Sequence, residues 1–254
     1  MQKSNSSKIN TVKTSKIAIA DDALNEKVLK LIELASGAPK QNFIQAKSSA
    51  KLFELVVLAD ILEVYTTQFG AGTAKVKNNT GNILKIAGSP ASANKSRFSY
   101  FELCDKSGKV SHEIWVSVEV LTLSWNIMAF PPLSPIPRSG KHEIDVGIFE
   151  PLPALSKVKH APYPPHTSLH AGFSCKHFQP VKESVREALG IRRETAFLNV
   201  SKFKHQSMVP WLISYVPTKP SSPLFLVSST AGVYSYQTPV DRMGVYMMAV
   251  PFSE

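Results

Sequence analysis

The residues with the most chemical content lie in two short apolar stretches. Ala171 to Phe178 reads Ala-Gly-Phe-Ser-Cys-Lys-His-Phe and sets Ser174 and Lys176 two residues apart, with Gly172 before them and Pro180 after. If this stretch is a strand, both side chains leave one face. Lysine is among the residues least often buried, and one carried inward by Ala, Phe and Cys usually pairs with a carboxylate, a phosphate or both. A matching acid lies upstream. Lys141 to Phe149 alternates Ile144, Val146 and Ile148 against Glu143, Asp145 and Gly147, so a second strand presents Asp145.

A third ionisable group belongs to a helix. Ser49 to Thr67 is apolar on most of its circumference, which predicts a central helix. Val57, Leu58, Ile61 and Tyr65 follow Glu54 at helical spacing, so its carboxylate shares an apolar face, whereas Asp60 and Glu63 point elsewhere. A buried carboxylate needs a partner such as a metal or a lysine. The competing expectation is a helix-edge Glu that reaches water or pairs with a structural Arg.

Other elements must position these groups. Residues 1 to 20 read as a disordered basic arm, with Lys3, Lys8, Lys13 and Lys16 and no acid up to Lys16. Asp21 and Asp22 start a packing helix through Leu24, Val28, Leu29, Leu31, Ile32 and Leu34 that stops at Gly37. Gly70 to Asn94 reads as an exposed loop or short hairpin. Arg97 to Cys104 and His112 to Leu123 are expected to form an antiparallel hairpin through Asp105-Lys106-Ser107-Gly108. On it, Glu113 and Glu119 read as solvent-facing or cross-strand partners, with Glu119 a reserve candidate for the site.

Two Pro-rich segments, Pro131 to Pro137 and Pro151 to Pro165, flank the Asp145 strand and cannot be regular structure. The second segment, with the residues just after it, carries Lys157, Lys159, His160, His166 and His170; it reads either as a clasp for a phosphate backbone or as a plain surface loop. Val181 to Arg193 suits an amphipathic helix with Val181, Val185, Ala188, Leu189 and Arg192 on one side and Glu183 and Glu187 on the flank. Trp211 to Val216, Leu224 to Val227 and Val245 to Val250 are expected to close the sheet.

Composition bounds the partners. At 254 residues and 43% hydrophobic, the chain can bury a large core, and residues 21 to 254 are expected to form one domain. The excess of 29 Lys and Arg over 19 Asp and Glu gives +10, which favours a polyanionic partner, although a plain basic protein has the same balance. Cys104 and Cys175 are the only cysteines, and no Cys-x-x-Cys pair exists, so neither a disulfide framework nor a zinc site is indicated. No apolar run approaches the roughly 18 residues that span a bilayer, and no signal-peptide core is present. A cytoplasmic, soluble protein is the expectation.

A helix with Glu54, a hairpin, a strand with Asp145, a strand ending at Lys176, then a helix and another strand resembles the PD-(D/E)XK nuclease superfamily over roughly residues 45 to 230. That family places Glu or Asp two residues before the lysine, where this chain has Ser174. A branch of restriction endonucleases shares the departure, with Ser-Cys-Lys on the strand and the missing carboxylate supplied by the following helix. Ser174-Cys175-Lys176 matches that tripeptide, and Glu187-Ala188-Leu189 resembles the helix sequence bearing the relocated Glu. Glu54 would match an acid that joins the site from the early helix. The base-reading residues of that branch have no counterpart in His177 to Lys182.

The resemblance implies an α/β fold, with a restriction-endonuclease-like central mixed β-sheet flanked by helices. It also implies a Mg2+-dependent endonuclease, with Mn2+ as a substitute ion, acting on double-stranded DNA as a homodimer or homotetramer. Mg2+ prefers a few carboxylate and carbonyl oxygens plus waters, here Asp145, Glu187 and the backbone carbonyl of Cys175. Lys176 would orient or deprotonate the water, and Glu54 would hold a second ion or a water. Two alternatives stand beside this reading: a decayed nuclease-fold domain that only binds nucleic acid, and a sugar- or nucleotide-processing protein whose Asp and Lys merely resemble the motif.

Overall fold

The structure is a computed structural model that describes residues 26–34, 42–43, 48–67, 72–79, 83–127, 136–153, 163–195 and 222–252. The basic arm, Lys157, Lys159, His160 and Trp211 to Val216 lie outside the described residues.

Helix α1 covers residues 26–34 and buries Val28, Leu29 and Ile32, whereas Leu34, expected on the same apolar face, is 72% exposed. Strand β1 (Asn42–Phe43) precedes α2 (Ser49–Thr67), which has the span its apolar pattern predicts. Ser48 starts α2: its hydroxyl accepts the Lys51 N–H at 3.3 Å, satisfying a donor that the first helical turn leaves unpaired. No Gly or Pro interrupts the helix, and Leu52 to Ala59 are all buried.

The stretch expected to be an exposed loop or short hairpin contributes β2 (Thr73–Lys77) to the large sheet and β3 (Ile83–Leu84), which pairs in parallel with β1 and not with β2. Leu84, Ala87 and Ala93 are buried. The lysines that make Thr-Ala-Lys-Val-Lys look like loop suit an edge strand, where charge protects the open rim; Lys77 pairs with Glu102 at 3.1 Å.

The hairpin forms from β4 (Tyr100–Cys104) and β5 (Val110–Leu121). Its turn is built by the Asp105 carboxylate, which accepts the N–H groups of Ser107 at 2.9 Å and Lys109 at 3.0 Å, while Gly108 takes φ 81°. Both strands are shorter than predicted at their outer ends. An Asn94-centred turn, with Asn94 Oδ1 accepting from Ser96 N at 3.0 Å and Arg97 N at 3.2 Å, keeps residues before Tyr100 out of β4. After Leu121, Thr122 Oγ1 accepts the Trp125 N–H at 3.1 Å and opens α3 (Leu123–Ile127).

Then follow β6 (Lys141–Phe149), β7 (Leu169–Lys176), α4 (Lys182–Glu194), β8 (Leu224–Ser228), the short α5 (Gln237–Val240) and β9 (Val245–Ala249). The described parts of the Pro-rich segments hold no helix or strand beyond an isolated bridge of Pro165 to Leu121, and each segment is followed by a 3-10 turn, Arg138–Gly140 and His166–Ser168. His166 is buried, which corrects its placement on a surface loop. On α4, Val181 is the half-exposed residue before the helix and not part of its apolar side.

The seven strands run in the order β2-β4-β5-β6-β7-β8-β9, antiparallel as far as β7 and parallel from β7 to β9. The molecule is thus α/β, a mixed sheet with helices on both faces. One core cluster joins α1 and α2 to Phe101, Ile114, Val116, Val146 and Phe173; the other joins α4 to Trp115, Val118, Ile144, Leu226 and Val245. Among the described residues no helix is long and apolar enough to cross a membrane.

Strict alternation breaks where β5 meets β6. In β5, Val116 faces the α2 cluster and Val118 the α4 cluster, and in β6 Ile144 and Val146 are divided in the same way. Val116 pairs with Val146 and Val118 with Ile144, so the intervening Ser117 and Asp145 lie opposite one another where both strands change phase. Ser117 absorbs the change in the left-handed region at φ 50°. Such a conformation costs a residue with a Cβ on the order of 1 kcal/mol and persists only where the surroundings impose it.

Candidate active site

The change of phase in β6 aims Asp145 at a gap in the sheet. Pairing between β6 and β7 runs from Phe149 and Leu169 to Val146 and Phe173 and goes no further. Beyond it, the Cys175 N–H turns to the Asp145 side chain, donating to Oδ2 at 2.7 Å. Because the N–H and C=O of one strand residue leave the same edge, the Cys175 carbonyl also faces β6. The neighbouring Lys176 carbonyl leaves the opposite edge, accepting the Ser229 N–H at 3.3 Å.

Two helices bring further charges to this gap from opposite faces of the sheet. From α4, Glu187 reaches Lys176, with Oε2 3.0 Å from Nζ. Glu183 instead pairs with Arg186 at 3.5 Å, both highly exposed, so Glu187 is the α4 acid that meets the strand lysine. From α2, Glu54 is buried, as its apolar face predicts. Its partner is Lys51, one turn earlier, at 2.6 Å from Oε2, and the Ser117 hydroxyl donates to the same oxygen at 3.0 Å. Lys51 Nζ also hydrogen-bonds Ser117 Oγ, which closes a three-membered ring of contacts.

The electrostatics join these groups into one network. Burial pushes Glu54 up to about 7; the nearby Asp145 charge adds to the rise, and Lys51 and Ser117 oppose it. Asp145 is likewise held above the usual carboxylate range by burial, against the pull of the Cys175 N–H, Lys176 and Lys51, while Glu187 adds to the rise. Burial also raises Glu143, with Asp145 as the main repelling charge. Cys175 sits among them with its thiol pushed well up by burial, which makes it a poor thiolate ligand. Asp145 is thus influenced by Lys176, Lys51 and Glu187 and itself acts on Glu54, whereas Ser174 is buried in β7 opposite Leu226 and adds no charge.

The remaining acids are committed elsewhere. Glu119 lies opposite Glu143 and is held by Lys141 at 2.8 Å, away from Lys176. Glu113, expected at the surface or across a strand, is only 2% exposed and is paired with Lys95, with the Trp115 indole N–H donating to it at 3.0 Å. It is a buried structural ion pair.

A hard divalent ion suits the donors at the gap. They are oxygen atoms, and Mg2+ is usually held by one or two carboxylates, waters and the substrate's own phosphates, not by an all-protein cage. Asp145, the Cys175 carbonyl and Glu187 are the oxygen donors that could serve such an ion. Among the described residues no three His, Cys, Asp or Glu side chains are grouped to hold an ion by themselves, since Glu54 is turned to Lys51 and Glu187 to Lys176.

Three members of the network are not site residues in the sequence-based reading. Lys51 has a readable signal, its position three residues before Glu54 on one helix face. Glu143 shares the polar side of its strand with Asp145. Ser117 has none, because a left-handed serine in mid-strand and its contact with α2 arise only in the folded chain. The chain matches no protein-family model, no curated protein and no solved structure, so geometry and chemistry alone carry the functional reading.

Proposed function

We propose that this chain is a Mg2+-dependent endonuclease of the PD-(D/E)XK type that hydrolyses phosphodiester bonds in double-stranded DNA. The observation that carries the reading is that Asp145 and Lys176 stand where the pairing of β6 and β7 stops, Asp145 held by the Cys175 N–H and Lys176 by Glu187 from α4, with Glu54 buried on α2 across the sheet. The element order α2, β5, β6, β7, α4, β8, with β8 parallel to β7, is the order expected of a restriction-endonuclease-like core. The net charge of +10 suits a polyanionic substrate.

Asp145, Glu187 and the Cys175 carbonyl would hold Mg2+. When bound, the ion neutralises charge on the scissile phosphate and lowers the pKa of the attacking water. Lys176 positions that water and donates to a phosphate oxygen as charge builds on it, a contribution on the order of several kcal/mol in a preorganised site. The water oxygen bonds to phosphorus, one ester P–O bond breaks, and the departing oxygen takes up a proton. Ser174 leaves the strand position two before the lysine uncharged, and Glu187 would supply that carboxylate from α4.

A cytoplasmic restriction or phage-defence role as a homodimer or homotetramer fits such an enzyme. The second reading, a decayed nuclease fold that only binds nucleic acid, draws on the uncharged Ser174 and on the Lys176–Glu187 pair. Incubating plasmid DNA with the protein and Mg2+ separates the two. The enzyme nicks or linearises the plasmid and stops in EDTA, whereas the binding domain retards the plasmid and leaves it intact.

A further inference from the structure

Resting on the nuclease reading, we propose that Lys51 is a built-in cation that takes the place of a second metal ion, so the site accepts a single divalent ion. Hydrolysis of a phosphodiester by two ions places them about 4 Å apart and uses both to offset carboxylate and phosphate charge. Here two lysines divide the acids. Glu187 pairs with Lys176 and Glu54 with Lys51, Glu143 is drawn to Lys51, and Asp145 lies between, under the influence of both lysines.

The Lys51 side chain is 11% exposed and is fixed at both ends. Its backbone is in the first turn of α2, where the Ser48 hydroxyl accepts its N–H, and its Nζ is held by Glu54 Oε2 at 2.6 Å and by Ser117 Oγ. Ser117 in turn donates to Glu54 at 3.0 Å from a strained backbone at φ 50°. The strained serine therefore secures the ammonium as well as the acid. Lys51 also acts electrostatically on Asp145, Glu143 and Cys175, so its one positive charge is shared across the acidic centre. A rigid ammonium there occupies space and charge that a second ion would need.

The test counts ions. Mn2+ binding per chain is measured by calorimetry and by the loss of free Mn2+ signal in electron paramagnetic resonance, on the full chain with a short cleavage-resistant DNA duplex, the ions taken up by the duplex alone being subtracted. The parent is expected to bind one ion, and Lys51→Met, which removes the charge and leaves Glu54 and Glu143 without compensation, two. Lys51→Gln keeps polar contacts to Ser117 and Glu54 without the charge and serves if the Met variant does not fold; it too should bind two.

Two ions in the parent, or one in the parent and in both variants, overturn the role of Lys51 and leave the nuclease reading standing. No ion in the parent with one in the variants supports the displacement by Lys51 and contradicts the metal-dependent nuclease. No ion in any of them contradicts both.

Discussion

Glu187 Oε2 on α4 lies 3.0 Å from Lys176 Nζ at the end of β7, so the helix that follows the strand lysine returns an acid to it. Strand position 174, two before the lysine, can direct a side chain to the same region, which makes the location of the charge more important than the residue that bears it. Glu187→Ser should lower cleavage by roughly 10²- to 10³-fold, the scale for losing one preorganised charge contact. Ser174→Glu combined with Glu187→Ser should recover part of it. Initial rates of plasmid cleavage decide the matter. A Glu187→Ser enzyme as active as the parent removes the relocated carboxylate from the account, and loss confined to Glu183→Ser moves the role by one turn.

Glu54 makes a prediction about pH. Its folded value of about 7 stands above the ordinary 4.5, chiefly through burial, so between those values the folded state binds a proton that the unfolded state has released. The contribution of this group to stability therefore falls as pH rises from about 4.5 to 7, by about 3 kcal/mol in all. In EDTA, Glu54→Gln should melt close to the parent at pH 4.5 and well above it at pH 8, while losing cleavage activity. A constant difference in melting temperature across that range would mean that Glu54 is not strained in its ionised form. Unchanged cleavage would make it only an awkward buried acid.

How far the sequence revealed these groups depends on the range of the interaction. Lys141–Phe149 is the strand expected from its alternating pattern, and α2 has its predicted span, because local periodicity fixes both. Asp145, Lys176, Glu54 and Glu187 could be singled out from type and spacing. Edge strand β2 was hidden because its lysines resemble loop composition, and the burial of Glu113 depends on Lys95, 18 residues away. The phase change at Ser117 and Asp145 reverses which side chains face α2, and nothing in Val-Ser-Val or Ile-Asp-Val announces it.

Arg192 on α4 yields a prediction about stability. It is fully buried beside the apolar cluster of Val185, Ala188 and Ile191, and none of its three guanidinium nitrogens has a hydrogen-bond partner among the described residues. Burial pulls it down to about 10, against the opposing influence of Tyr246, so it is still charged at neutral pH and is a buried cation without a hydrogen-bond partner among the described residues. Arg192→Met keeps much of the volume and should stabilise the fold by about 1–4 kcal/mol, the range for replacing buried charge with apolar packing. Urea denaturation at pH 7 checks it. A lower midpoint for the variant would reveal a partner that satisfies the guanidinium.

The most direct test of the central claim compares cutting and binding in Lys176→Ala. On the nuclease reading the side chain would act at one scissile phosphate while affinity for DNA is spread over many backbone contacts, so its loss should barely change binding. Lys176→Ala is expected to retard duplex DNA at concentrations within a few-fold of the parent. Its cleavage in Mg2+ or Mn2+ is expected to stay at background. Undiminished cutting by Lys176→Ala, with parent activity that is sensitive to EDTA, would place the catalytic centre somewhere other than the Asp145–Lys176 gap and contradict the account.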